Sequence, residues 1–408
     1  AATSSGKVMI AAGWDTNGEN FVLRSVSRGV NWSATGVTGL GLSFRATAVA
    51  YNGVTWVLST DRGTYFSEDG LSWTVESDAF QAASFIKWNG KQYVASTSTS
   101  GNVIVYTSAN GIVWNDLNLG VGLSGSTAGG FSDPVLSDVA SDGNKWVGAI
   151  DGYSPRGYPF IVSNTNGVSW TDAGVTGASG FMQRAYGISY AEGVWVATGS
   201  STADSKTTIM RSTDGLTWVP VGGGTDETDF GLTGGGSYVA SNGVQWVAVG
   251  GGHTGSATIL ISSDNALTWT SAGVTGDINS PYGNSVYFNS VKWNGYYWVA
   301  VGTNPDSIAY SIDGLTWVRA TATLPDTMVS EVASDYIQSI LGGVGNAGGG
   351  KEGPRGTVIF YGYGVPEGIA GYVSPGPTGF GPTGPGVEPQ KSGDFYLNFE
   401  DGRLYLTP

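Results

Sequence analysis

The chain reads as all-β, a ring of seven four-stranded antiparallel blades, on three observations. Its composition is that of tight turns and aromatic wedges: 67 glycines in 408 residues, 15 Trp, 20 Tyr and 14 Phe, with charged residues held to 12%. Helix formers are scarce, and no long stretch carries a 3.6-residue apolar period. Above all, one phrase returns seven times in two spellings, Ser-x-Asp-Gly-x-x-Trp and, one residue longer, Ser-x-Asp-x-Gly-x-x-Trp, with substitutions at the Asp and Gly positions. Its copies close on Trp32, Trp73, Trp114, Trp170, Trp218, Trp269 and Trp317, spaced 41 to 56 residues apart. A period of roughly 40–50 residues holding four strands is that of a propeller blade.

Residues 44–76 show one unit most clearly. "FRATAVAY" is strand A, "TWVLST" strand B, "GTYFSE" strand C and "LSWTVE" strand D, with A innermost and D at the rim. Asn-Gly or Asp-Gly, as in "YNGVTWVLST", "SDGNKWVGAI" and "WNGYYWVAVG", turns the A–B hairpin. An alternating aromatic-Val strand follows. The first unit opens at strand B, "KVMIAAG". After the seventh box, "MVSEVASD" reads as another strand A that closes blade one, so that both chain ends seal the ring and remove its open edges. "TVIFYGYG", 357–364, is one strand more than this scheme needs, and eight blades is the alternative.

The boxes come in two spellings. Four are compact: Ser67, Asp69, Gly70, Trp73; Ser108, Asn110, Gly111, Trp114; Ser212, Asp214, Gly215, Trp218; Ser311, Asp313, Gly314, Trp317. Three carry one more residue: Ser25, Ser27, Gly29, Trp32; Ser163, Thr165, Gly167, Trp170; Ser262, Asp264, Ala266, Trp269. Repeated carboxylates beside a tryptophan could be catalytic or metal-binding. A turn explains them better. The Asp side chain accepts from backbone N–H groups, Gly takes positive φ, Ser bonds locally and Trp packs between blades. Asn110, Ser27 and Thr165 suit a hydrogen-bond acceptor and not a general acid or a metal ligand. Ser27, Thr165 and Ala266, in the Asp and Gly positions, are expected to weaken their own turns.

Over about residues 5–340 this pattern resembles the Asp box, or bacterial-neuraminidase repeat, of sialidase-like β-propellers. That resemblance implies the propeller fold and raises the question of glycosidase activity. Sialidase chemistry would need an arginine cluster, a Tyr–Glu nucleophile pair and an acid Asp. Arg24, Arg45, Arg184 and Arg211 are scattered through the blades. "SFRATA", 43–48, lacks the proline of a Phe-Arg-Ile-Pro opening. A glycosidase also needs two placed carboxyl groups, and none can be paired by sequence. His253, the single histidine, leaves a Ser–His–Asp triad conceivable only in its own Gly-rich loop. The expectation is therefore a non-enzyme with no catalytic residues, no cofactor and no metal, with a sialidase-like glycan-processing enzyme or a passive decoration or scaffold propeller as the alternatives.

Strand direction locates a binding face. The A–B turns and the boxes share one face, and the B–C and D–A loops share the other. On the first face the turns are short and repetitive. On the second they differ in every blade, as in "DGYSPRGYPF", "SSTADSKTT", "GGHTGSAT" and "GVTGDINSPYGN". Variable loops on a rigid scaffold are where binding resides. The candidate ligand-binding residues are Phe131, Asp151, Tyr153, Arg156, Tyr158, Lys206, His253 and Tyr282, with Asp204, Asp226, Asp229 and Asn279 beside them. Aromatic plates next to Asp, Asn and Arg suit sugar rings.

Net charge is −14 and no basic run exists, which argues against nucleic acid. Without cysteine there is neither disulfide nor thiolate chemistry. There is no run of eighteen apolar residues to span a membrane, and no signal-like segment opens the chain. The domain expectation is a propeller over 1–340, a Gly/Pro-rich linker over 341–392 and a β-hairpin over 393–408. "GPTGFGPTGPG", 376–386, resembles collagen-like repeats but is too short for a triple helix alone. "GDFYLNFEDGRLYL", 393–406, turns at Asp401-Gly402, and an isolated hairpin needs a partner. It resembles the endings that follow collagen-like stretches in phage tail fibres, giant-virus surface proteins and bacterial collagen-like proteins. These resemblances imply a virion or fibre component, on a virion surface or extracellular, with other fibre proteins and a glycan or cell-surface receptor as partners. A homo-oligomer, a trimer by analogy with fibres, is expected.

Overall fold

The computed structural model describes residues 7–15, 20–34, 38–40, 45–76, 80–99, 102–118, 132–153, 159–164, 167, 169–173, 184–200, 208–221, 235–251, 259–272, 287–302, 308–322, 327–334, 359–362, 395–398 and 404–406. These form two compact units, Ala1–Ile340 and Leu341–Pro408. The first is a seven-bladed β-propeller with four antiparallel strands per blade.

Six blades are continuous sheets in chain order. Their A strands are Ala46–Tyr51, Phe85–Trp88, Ser132–Ser141, Arg184–Ala191, Gly235–Ser241 and Phe288–Trp293. Blade one is assembled from both ends of the unit. Thr327–Ser334 serves as its strand A and pairs antiparallel with Met9–Asp15, from Met9↔Ser334 to Asp15↔Thr327. Asn20–Ser25 follows as strand C, and Arg24 exchanges backbone hydrogen bonds with Ser33 at 2.9 and 3.1 Å to bring in strand D. The ring is thus closed by the "MVSEVASD" segment, and seven blades replace the eight-blade alternative. Ile359–Gly362, the surplus strand, pairs parallel with Phe395–Asn398 in the second unit, and Phe395–Asn398 pairs antiparallel with Leu404–Leu406.

The burial pattern follows strand position. Strand B lies between neighbouring blades and is buried on both faces, as in Trp246–Gly251 and Trp298–Gly302. This explains its near-continuous apolar run. Strand D at the rim shrinks to two exposed residues in blades five to seven. The core is correspondingly divided into seven clusters, one at each blade interface. Between blades four and five, for example, Phe160 stacks on Trp218 at 4.0 Å and 9°.

Candidate functional site

The boxes are built as acceptor turns. Asp214 Oδ1 accepts from Leu216 N at 2.8 Å, Thr217 N at 2.6 Å and Ser212 Oγ at 3.0 Å, while Gly215 N donates to Ser212 Oγ at 2.8 Å. Asp69 and Asp313 repeat the pattern. Asn110 does so with an amide oxygen, at 2.9 and 3.0 Å from Ile112 N and Val113 N. In the longer box, Asp264 takes Leu267 N, Thr268 N and Thr268 Oγ1. Ser27 Oγ performs the same task for Asn31 N at 2.8 Å, and Thr165 lies outside the described residues. Slight burial pushes Asp214 upward, but the N–H groups of Thr217 and Leu216 outweigh it and hold it at about 2. Asp264 sits at about 2 for a similar reason, with Thr268 the main donor against burial. Such carboxylates are spent on the backbone and are poor proton donors. The tryptophans Trp73, Trp218, Trp269 and Trp317 are all buried.

Box and A–B turn share a face, and this face is latched all the way round. Donors from one blade reach the carbonyl just before the Gly position of the next box. Arg24 Nε donates to Asp69 O, Arg211 Nε to Asn265 O, Gln245 Nε2 to Asp313 O and Asn294 Nδ2 to Arg28 O, at 2.9–3.3 Å, and Lys145 Nζ donates to Asp214 O. Tyr93 Oη donates to Thr55 O at 2.6 Å and Lys91 Nζ to Gly143 O at 3.4 Å, which completes the seven interfaces.

On the opposite face the structure places two of the sequence candidates. Asp151 lies on strand B of blade four, Trp146–Tyr153, and pairs with Arg184 of blade five at 3.6 Å. Burial raises the Asp151 carboxyl, and Arg184 only partly counters this. Tyr153 ends the same strand, opposite Ser132. Phe131, Arg156, Tyr158, Lys206, His253 and Tyr282 lie outside the described residues, as do Asp204, Asp226, Asp229 and Asn279. The structure adds Tyr186, whose Oη is 2.8 Å from Ser200 Oγ, and Tyr287, 47% exposed. The Tyr287 ring lies where a side chain on Gly251 would be, with Cε1 only 1.6 Å from the Cβ position. Only glycine permits that seat.

A further polar cluster sits on the innermost strands. Lys87 of blade three and Lys292 of blade seven both donate to Tyr238 Oη of blade six, the latter at 3.0 Å. Both ammoniums also lie over the Tyr238 ring, 4.4 and 5.0 Å from its centroid. Asp138 of blade four pairs with Lys87 at 3.1 Å and accepts from Ile188 N of blade five at 3.0 Å. Two blades on one side and three on the other separate blades three and six, so the Lys87–Tyr238 contact crosses the axis of the ring. The sequence reading missed this cluster. Its signal was the doubled string "IKWNG", 86–90, and "VKWNG", 291–295. Among the described residues no group of three or more His, Cys, Asp or Glu could hold a metal ion.

No family model and no curated protein matches the chain. Solved structures match its fold. A protein from Lactobacillus plantarum has a TM-score of 0.52 at 11% identity, over 79% of this chain and 98% of that one. YCF48 bound to D1 peptide gives 0.45 at 12% identity, over 72% and 89%. The GH74 enzyme of Niastella koreensis gives 0.31 at 12%, over 78% and 61%. At these identities the likeness is one of fold alone, and the first of the three carries it.

Proposed function

We propose that the protein is a non-enzymatic recognition module of a virion or fibre. In this reading its B–C and D–A loop face meets a glycan on a cell-surface receptor, and its C-terminal unit holds it in a homo-oligomeric assembly. The contrast between the two faces is the observation that supports the reading. On one face the box carboxylates and turn donors are consumed by the scaffold. The other carries Tyr287, half-exposed on its glycine seat, and the partly exposed Asp151–Arg184 pair. An apolar ring with charged acceptors and donors on the same face is the chemistry that stacks and hydrogen-bonds a sugar. The C-terminal string that resembles fibre endings supports the assembly role.

Glycan-array binding by the full chain tests this directly. Tyr287→Ala should lower binding at least tenfold, with the unfolding temperature little changed. Gly251→Ala should do the same by displacing the ring. Absence of glycan binding, together with normal adsorption of a particle lacking the propeller, would sink the receptor role. Turnover of a fluorogenic glycoside would replace it with an enzymatic one.

A further inference from the structure

We infer that the loop-side mouth of the ring axis seats the terminal residue of a neutral sugar, held by one polar side chain from each blade. This rests on the reading of the loop face as glycan-binding, and adds the class of sugar and its place.

The side chains are Thr47, Ser84, Ser137, Tyr186, Ser237 and Asn289 in blades two to seven, and Ser330 holds the same position in blade one. Each marks an irregularity in its innermost strand. The pairing with strand B passes over Thr47, Ser137, Tyr186, Ser237 and Asn289, and over Ser330 in blade one. In blade three, Ser84 N donates to Ser96 O at 2.7 Å although Ser96 is already the partner of Phe85. Bulges re-aim the side chains they carry. Thr47, Ser84, Ser137, Tyr186, Ser237 and Asn289 are all half-buried, whereas the residue on either side of each is buried, as Gly236 and Tyr238 are about Ser237. Strand A has a blade on each flank and strand B along its outer edge, so its open direction is the axis.

The axis is crossed next to this ring. Lys87 and Lys292 both donate to Tyr238 Oη, and Tyr238 directly follows Ser237. Strand A runs from the D–A loop toward the A–B turn, so the ring stands on the loop side of that crossing, which forms its floor. The floor holds both signs of charge: Lys87 pairs with Asp138, and the register sets Glu331 at the level of Tyr238. The ring itself is built mainly from Ser, Thr and Asn, which carry no charge and whose hydroxyl or amide both donates and accepts. The hydroxyls of Ser84 and Ser237 are spent on no other side chain or backbone group among the described residues. The hydroxyls around a pyranose also donate and accept, so a neutral ring of such groups matches them where a cationic or acidic one would select a charged ligand. Tyr287, two residues before Asn289 and 47% exposed, offers an apolar plate to the sugar that follows.

The test is saturation-transfer NMR of the full chain with the methyl glycosides of glucose, galactose and mannose, beside the glycan array. Saturable transfer from at least one of the three is expected. It should weaken at least fivefold in the double variant Ser137→Ala/Ser237→Ala and vanish in Ser237→Trp, which fills the mouth. Val113→Ala, on the box face, should leave it unchanged. Equal transfer in wild type and the double variant would overturn the axial seat while leaving a glycan-binding loop face intact. Array binding with no transfer from any of the three glycosides, or transfer only from an acidic sugar such as glucuronic acid, would likewise overturn this proposal alone. Silence on the array and in the NMR experiment would overturn both readings. Should Ser237→Trp fail to fold, the double alanine variant decides.

Discussion

A single acceptor atom organises each compact box turn. Asp214 Oδ1 collects two backbone N–H groups and a serine hydroxyl, and Asn110 shows that a carbonyl oxygen of an amide collects the same set. Asp214→Asn should therefore leave stability near wild type at neutral pH. Asp214→Ala, which strands those donors, should cost about 1–2 kcal/mol. Chemical denaturation of the three proteins checks the order. The acid limb carries a further sign. Their hydrogen bonds hold Asp214 and Asp264 at about 2, below the usual carboxylate range. A depressed carboxyl stabilises the fold above its unfolded value and loses that contribution as pH falls through about 2. Unfolding temperature should thus drop between about pH 4 and pH 2 and drop less in Asp214→Asn. An equal acid slope in both would remove Asp214 from the account.

At the scale of the element, the Gly position of the box is governed by the neighbouring blade as much as by its own φ. Gly111 has φ +81°, and a Cβ there would meet Val57 Cγ2 of blade two at 2.5 Å. Ala266 occupies the same place in its longer box at φ +61°, fully buried in the cluster between blades five and six. Val196, the blade-five counterpart of Val57, is buried in the same cluster, so the methyl of Ala266 is accommodated beside it. Gly111→Ala should cost about 2–3 kcal/mol, from left-handed strain and overpacking together. Ala266→Gly should change stability by less than about 1 kcal/mol, since relieved strain offsets the lost methyl. Equilibrium unfolding of both variants decides it. The elements legible in the sequence were those carried by local spacing: seven boxes, the A–B turns, and the strand that closes blade one. The axial cluster was not, because Lys87 and Tyr238 are 151 residues apart and meet only after the ring has closed. Neither was the seat of Tyr287, for nothing in the string "GNSVYF" says that Gly251 lies beneath it. Most of the loop candidates fall outside the described residues, and among the described ones Asp151 pairs with Arg184.

For the whole molecule, seven interfacial cores in place of one make ring closure the decisive step. Each blade is sandwiched by two neighbours, and blade one is complete only when Thr327–Ser334 joins Met9–Asp15. Val332 lies in the core shared with blade seven and Ala333 in the core shared with blade two, so this one strand serves two interfaces. A chain ending at residue 324 would lack it. The Met9–Asp15 strand would become an exposed edge, and both adjoining cores would open. Such a chain should aggregate, or unfold without a cooperative transition. A chain ending at residue 340 retains the closing strand and should unfold in one transition close to that of the full chain. Size-exclusion chromatography with light scattering, followed by scanning calorimetry, separates the two cases. Cooperative, monodisperse behaviour of the shorter chain would mean that six blades and an open sheet suffice, and that the closure contributes little to stability.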